Sequence, residues 1–179
     1  MATDIRFEVD ASEVDKLIEQ ARLAMQLAMK YTAKDVEAGI GRYAPTDHGR
    51  LAGSFHSEQM DDELSWRIYT HVEYAMYVHE GTGVYGPEGH PIVPTQAKAL
   101  KFFWKKTGQM MIFKGDLTTP WQKASFARWA EERGMTPVFA WVKGMEPRPF
   151  ADKAIADTEA RVDEFARRAV REAMEGRSW

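Results

Sequence analysis

SEVDKLIEQARLAMQLAMKYTAKDVEAGI, residues 12–40, carries the clearest periodicity in the chain. Val14, Leu17, Ile18, Ala21, Met25, Ala28 and Tyr31 recur at intervals of three and four, the spacing that lines one face of an α-helix. Ser12 is the expected N-cap, with Asp15 three residues on as a weak capping-box partner. Gly39 and Gly41, with Pro45 beyond, place the end near Ile40. Such a helix is about 40 Å long at 1.5 Å per residue. A small domain cannot cover that length, so part of the stripe is expected to face another subunit.

Before this helix, Ile5, Phe7 and Val9 alternate across Thr3–Val9 and predict a strand with one buried face. After it, Tyr43–Gly53 reads as a loop. Ser54–Gln59 and Leu64–Val72 then predict a hairpin turning at Met60-Asp61-Asp62. Glu73–Glu80 fits a single helical turn ahead of the glycine-rich stretch Gly81–Pro91. Ala97–Lys105 fits either a short helix or a strand, and Met110–Lys114 a strand. Thr119 as N-cap, Pro120 in the first turn and Gly134 behind Arg133 frame a helix carrying Phe126, Trp129 and Ala130. Val138, Ala140 and Val142 form one face of a further strand. Beyond Pro147 and Pro149 a second long helix sets Ile155, Val162, Phe165, Ala169 and Ala173 on one stripe and stops at Gly176. The fold class is therefore α+β: long N- and C-terminal helices on an antiparallel sheet, because strands and long helices are segregated rather than alternating.

The 179 residues contain no cysteine, which excludes disulfides, zinc ribbons, iron–sulfur clusters and thiol catalysis. No apolar run approaches the ~20 residues that span a bilayer, and no hydrophobic stretch follows Met1 as a secretory signal would. The net charge of −3 conceals a division. Residues 1–97 carry 8 basic and 16 acidic side chains, whereas 98–148 carry 10 and 4. A basic middle on an acidic frame suits nucleic acid, a complementary partner surface, or simply a solvated face.

Motifs with chemical content are weak. Gly81-Thr82-Gly83-Val84-Tyr85-Gly86 has the G-x-G-x-x-G spacing, but Pro87, Gly89, His90 and Pro91 follow where a helix must open to meet a pyrophosphate. His48, His56, His71, His79 and His90 have no H-E-x-x-H pattern or paired carboxylate at ligand spacing. Asp47, His48 and Ser54 supply the residue types of a hydrolase triad without a nucleophile elbow or an oxyanion loop. Asp61-Asp62 and Glu131-Glu132 fit a turn and a helix surface better than a general acid/base pair. Lys98, Lys101, Phe102, Phe103, Trp104, Lys105 and Lys106 interleave cations with aromatics, as grooves for single strands do. The consecutive rings and the acidity of the whole chain favour core plus solvated lysines instead.

Four segments taken together carry more. They are Ala44–Phe55 (APTDHGRLAGSF), Tyr74–Gly83 (YAMYVHEGTG), His90–Pro94 with Ala99-Leu100 behind it, and Pro147-Arg148-Pro149-Phe150. Their order and spacing resemble the lambdoid-type tail-component family of long-tailed phages, the minor tail or tail-completion proteins of the head–tail junction. Pro45, Asp47, Gly49, Leu51 and Ser54 fit the family's first motif, with His48 where Thr or Ser is usual. Tyr74, Ala75, Tyr77, Val78, Gly81 and Thr82 fit the second, with His79-Glu80 where one acidic residue is usual. Pro149 and Phe150 fit the last. The likeness covers about residues 10–175 of one domain spanning 1–179. It omits 105–140, which has the character of an enlarged central hairpin with its own helix.

The resemblance implies a non-enzymatic virion or prophage protein with no catalytic, cofactor or metal site. It implies a ring homo-oligomer, for example a hexamer, that completes the tail and joins it to the head connector. Its expected neighbours are tail terminator or tail tube and head-completion proteins, with DNA only as passing cargo and no membrane. Its expected place is the virion neck, assembled in the bacterial cytoplasm. The motif residues suit folding tasks: Gly49, Gly53, Gly81 and Gly83 permit tight turns, Tyr74 and Tyr77 are expected to pack on the sheet, and Phe150 anchors the last helix. Lys105 and Lys106 are candidate interface residues, meeting acidic surface on the next subunit. The rival readings are a nucleic-acid-binding protein using 98–114 and a small hydrolase using Asp47, His48 and Ser54.

Overall fold

A computed structural model describes residues 11–46 and 49–176. The strand expected over Thr3–Val9, together with Asp47 and His48, lies outside the described residues. The protein is mixed α and β, and it divides into two compact units, one joining 11–73 to 150–176 and the other spanning 74–149.

The first unit holds α1 (Ala11–Tyr43), a hairpin of β1 (Phe55–Gln59) and β2 (Trp66–Thr70), and two C-terminal helices. The hairpin is antiparallel with Phe55 opposite Thr70 and Gln59 opposite Trp66, as the alternation predicts. Helix α1 includes Ala11, so Ser12 lies inside it rather than capping it, and it runs through Gly39 and Gly41 to Tyr43. Its buried side chains are Ala24, Leu27, Ala33, Gly39 and Ile40. The expected stripe is covered only in its later part: Val14, Leu17, Ile18, Ala21 and Met25 are exposed, whereas Ala28 and Tyr31 are half-buried and Tyr31 donates to Glu172 of the last helix.

A small residue on that stripe lets the C-terminal part of α1 pack closely. The helix spanning Gly39 lies so close to its neighbour that a Cβ on Gly39 would come within 2.9 Å of Ala154 Cβ. Bulky apolar side chains on that face would hold the helices apart. The last helix is also two helices. It comprises α4 (Phe150–Glu159) and α5 (Val162–Met174), separated by a turn in which Arg161 N–H donates to Thr158 O at 2.9 Å. Thr158 is buried and donates its hydroxyl to Asp35 at 2.7 Å, while Arg161 pairs with the same carboxylate at 2.5 Å. The turn thus brings two residues three apart onto one acceptor. The buried register is Phe150, Ala154 and Thr158, then Ala169 and Ala173, which leaves the expected stripe members Ile155 and Val162 exposed. Gly39 with Ala154, Asp35 with Thr158 and Tyr31 with Glu172 show α4 and α5 running antiparallel to α1. Ala173 and Gly176 share a groove with Glu19 and Leu23, so the first turns of α1 extend past the end of α5.

The second unit contains α2 (Ala75–Glu80), β3 (Leu100–Trp104), β4 (Gln109–Phe113), α3 (Pro120–Glu131) and β5 (Met135–Val138). Residues 97–105 resolve as a strand, β3, which pairs antiparallel with β4. Strand β5 departs from expectation in place and direction: it lies ahead of Ala140 and Val142 and pairs with β4 in parallel. The intervening helix is the reason, because a crossover returns the chain to the end at which β4 began, whereas a short turn reverses it. Thr119 caps α3 as predicted, its hydroxyl accepting from Gln122 N–H while the Gln122 side chain accepts from Thr119 N–H. Ile112, Ala130 and Met135 form the core, with Ala99, Met110 and Phe126 packed on it. Among the described residues no helix is long and apolar enough to cross a membrane.

Candidate functional site

The loop after α1 is built by the first motif. Gly49 adopts φ +70°, and its carbonyl accepts from Gly53 N–H at 3.1 Å. Leu51 is buried beneath it. Ser54 donates to Leu51 O at 2.8 Å and shares a hydrogen bond with Thr70 Oγ1 at 2.7 Å, which in turn accepts from Val72 N–H. Phe55 meets the buried Phe150 edge-on at 5.8 Å. Ser54 is therefore a clamp between the loop and β2, and Phe150 the expected anchor. Pro45 is half-buried, and Asp47 lies outside the described residues.

The second motif forms α2 and a backbone crossing. Thr82 N–H donates to Met145 O at 2.9 Å, Val84 N–H to Lys143 O at 2.7 Å, and Met145 N–H to Thr82 Oγ1 at 3.0 Å. Arg148 N–H donates to Val78 O, and Ile92 N–H to Val142 O. The glycines permit this contact. A Cβ on Gly83 would fall 2.2 Å from Lys143 O, and one on Gly144, at φ +102°, 1.8 Å from Thr82 O. The amides that a dinucleotide fingerprint aims at phosphate are spent here on protein carbonyls. A single 3-10 turn over Gly83–Tyr85 replaces the required helix.

Tyr74 and Tyr77 do not pack on a sheet. In α2 only Ala75 is buried, and Tyr77 is 54% exposed. A six-residue helix held by its backbone can bury one small residue and turn its larger side chains outward. Met76 and Tyr77 instead line an open cleft of about 780 Å³, with Ile92, Val93 and Trp141. The Trp141 ring occupies the space a side chain at Gly115 would fill, which fixes it against that wall. Glu80, Glu88 and His90 add polar groups to the lining.

Lys105 and Lys106 sit at the turn of the β3–β4 hairpin, where Gly108 N–H donates to Trp104 O and Gly108 has φ +66°. Phe102 stacks on Phe113 at 4.9 Å and lies 5.9 Å from Trp104, whereas Phe103 is 56% exposed. His56 and His71 flank Tyr69 in ring contacts. Among the described residues no three His, Asp or Glu side chains gather as metal ligands. Sequence reasoning missed the cleft. Its local trace is the pair Gly83 and Gly144, which meet across some 60 residues.

Among protein-family models, curated proteins and solved structures, none matches this chain.

Proposed function

We propose that this chain is a structural subunit of the phage tail or neck, self-associating into a ring that completes the tail and joins it to the head connector. The observation that carries the reading is the apolar stripe of α1. Val14, Leu17, Ile18 and Met25 lie on one helix face, with Leu17 and Ile18 each 59% exposed. Burying such surface is worth about 25 cal/mol per Å², and monomers rarely leave contiguous patches of it open. The motif residues support a scaffolding role, since Leu51, Ser54, Gly81, Thr82 and Phe150 all serve packing or backbone contacts. The four-motif resemblance supplies the place in the virion.

Sedimentation and negative-stain electron microscopy of the purified protein test the reading. Closed rings are expected, and Leu17→Lys with Ile18→Lys is expected to yield folded monomers. Wild type that stays monomeric up to millimolar concentration overturns self-association. Rings that bind neither isolated tails nor portal-bearing heads overturn the neck assignment.

A further inference from the structure

Two surfaces of the second unit remain unused by its own fold. One is the cleft of Met76, Tyr77, Ile92, Val93 and Trp141, with Glu80 and Glu88 among its lining residues. The other is the tip of the β3–β4 hairpin, which carries the exposed ring of Phe103 and the charges of Lys101 and Lys106. No hairpin residue lines the cleft.

The two surfaces match in chemistry. The cleft is apolar with carboxylates, in a unit that otherwise holds 10 basic side chains against 4 acidic ones. The hairpin is aromatic with ammonium groups. Its β3 strand lies at a sheet edge and leaves four of its five side chains exposed, so the tip is free to enter a groove. A cavity of 780 Å³ falls within the range that encloses a sizeable ligand, about 300–1,000 Å³. Aromatic anchors in an apolar pocket, rimmed by opposite charge, are the arrangement in which binding energy concentrates.

We propose that the cleft of one copy receives the Phe103–Lys106 hairpin tip of a second copy, Phe103 against Tyr77 and Val93, and the lysines near Glu80 and Glu88. This rests on the self-association read above and adds a second contact that assembly needs beside the α1 stripe. Because the donor and acceptor are different patches, the contact is heterologous and propagates from subunit to subunit until it closes.

Half-blocked variants of the full chain test this by sedimentation at submillimolar concentration, after circular dichroism has shown each to be folded. Phe103→Glu with Lys106→Glu blocks the hairpin, and Val93→Lys with Glu88→Lys blocks the cleft. Each alone is expected to be monomeric. Their mixture is expected to stop at a 1:1 heterodimer, since one hairpin and one cleft remain. The milder changes Lys106→Glu and Glu88→Lys are each expected to weaken assembly at least tenfold, and together in one chain to restore it by charge exchange. Half-blocked variants that still assemble like wild type, or a mixture that stays monomeric, overturn the contact. Normal rings from both blocked variants overturn the contact alone. Open filaments that need both patches uphold the contact and overturn the ring. Hairpin variants that lose only a salt-sensitive affinity for DNA, with assembly unchanged, also overturn it.

Discussion

Exchanging one methyl group across the α1–α4 crossing measures what holds the first unit together. Gly39 is buried inside α1, and a Cβ there would stand 2.9 Å from Ala154 Cβ and 3.3 Å from Ala154 Cα. Carbon atoms in contact prefer about 3.5–4.0 Å, so Gly39→Ala forces the α4 backbone to yield by roughly half an ångström or more. The substitution gains about 1 kcal/mol of helix propensity and costs about 1–3 kcal/mol in overpacking. The net expectation is a loss of about 0–2 kcal/mol. Ala154→Gly forfeits about 1 kcal/mol of propensity and about 0.8 kcal/mol for the buried methyl.

With both changes present the methyl has moved from one helix to the other and the propensities cancel. The double variant is then expected within about 1 kcal/mol of wild type, against about 2–4 kcal/mol if the singles added. Urea unfolding followed by far-UV circular dichroism reads the difference, because α1, α4 and α5 contribute most of the helix. Two results refute the reasoning: singles that add to within about 0.5 kcal/mol, or Gly39→Ala stabilising by the full propensity gain.

Gly144→Ala places a Cβ 1.8 Å from Thr82 O at φ +102°, and is expected to cost about 3 kcal/mol or more; unchanged resistance to proteolysis around 142–148 would contradict it. Thr119→Ala removes the acceptor of the α3 capping box and is expected to cost about 1 kcal/mol, read by thermal unfolding. Glu37 gives a pH test. Burial, its largest influence, pushes its pKa up, but hydrogen bonds from Ser57 and Lys34 and the Lys34 charge hold it below its ordinary 4.5. A depressed carboxyl stabilises the fold above that ordinary value, and the stabilisation disappears as pH falls through the lowered folded value. In Ser57→Ala burial acts with less opposition, so acid destabilisation is expected to begin at higher pH; acid titration curves of equal midpoint for variant and wild type would refute this.

Local signals were legible and long-range ones were not. The α1 period, the β1–β2 alternation and the Thr119 cap each depend on residues within one or two turns, and each element stands where those residues place it. Which part of the α1 stripe is covered is not a local property: Val14, Leu17, Ile18 and Met25 are exposed, while Tyr31 meets Glu172, 141 residues on. The close crossing of Gly39 against Ala154 lies in the C-terminal part of α1, several turns beyond the exposed Leu17 and Ile18. The break at Ala160-Arg161 contains neither proline nor glycine. Its cause lies in Asp35, more than 120 residues earlier, which engages both Thr158 and Arg161. The cleft depends on Thr82 meeting Met145, 63 residues apart, a pairing no window of sequence contains.

The motif residues divide into two groups, and the division bears on function. Leu51, Ser54, Gly81, Thr82 and Phe150 have their apolar surface or polar groups used within the chain. A nucleophile or phosphate site needs such groups aimed at open space, and Ser54 and the amides of Thr82, Val84, Tyr85 and Gly86 are instead turned on neighbouring protein atoms. Tyr74 and Tyr77 form the second group, large aromatic side chains that the fold leaves in water. Aromatics of this kind contribute most when a partner removes them from solvent, and little when exposed. A scaffold that consumes its polar motif residues and presents its aromatic ones suits the self-association proposed above. The charge division fits the same logic, because a heterologous contact needs two unlike patches on one chain, and this chain carries an acidic-rimmed apolar cleft and a basic aromatic hairpin in a single unit.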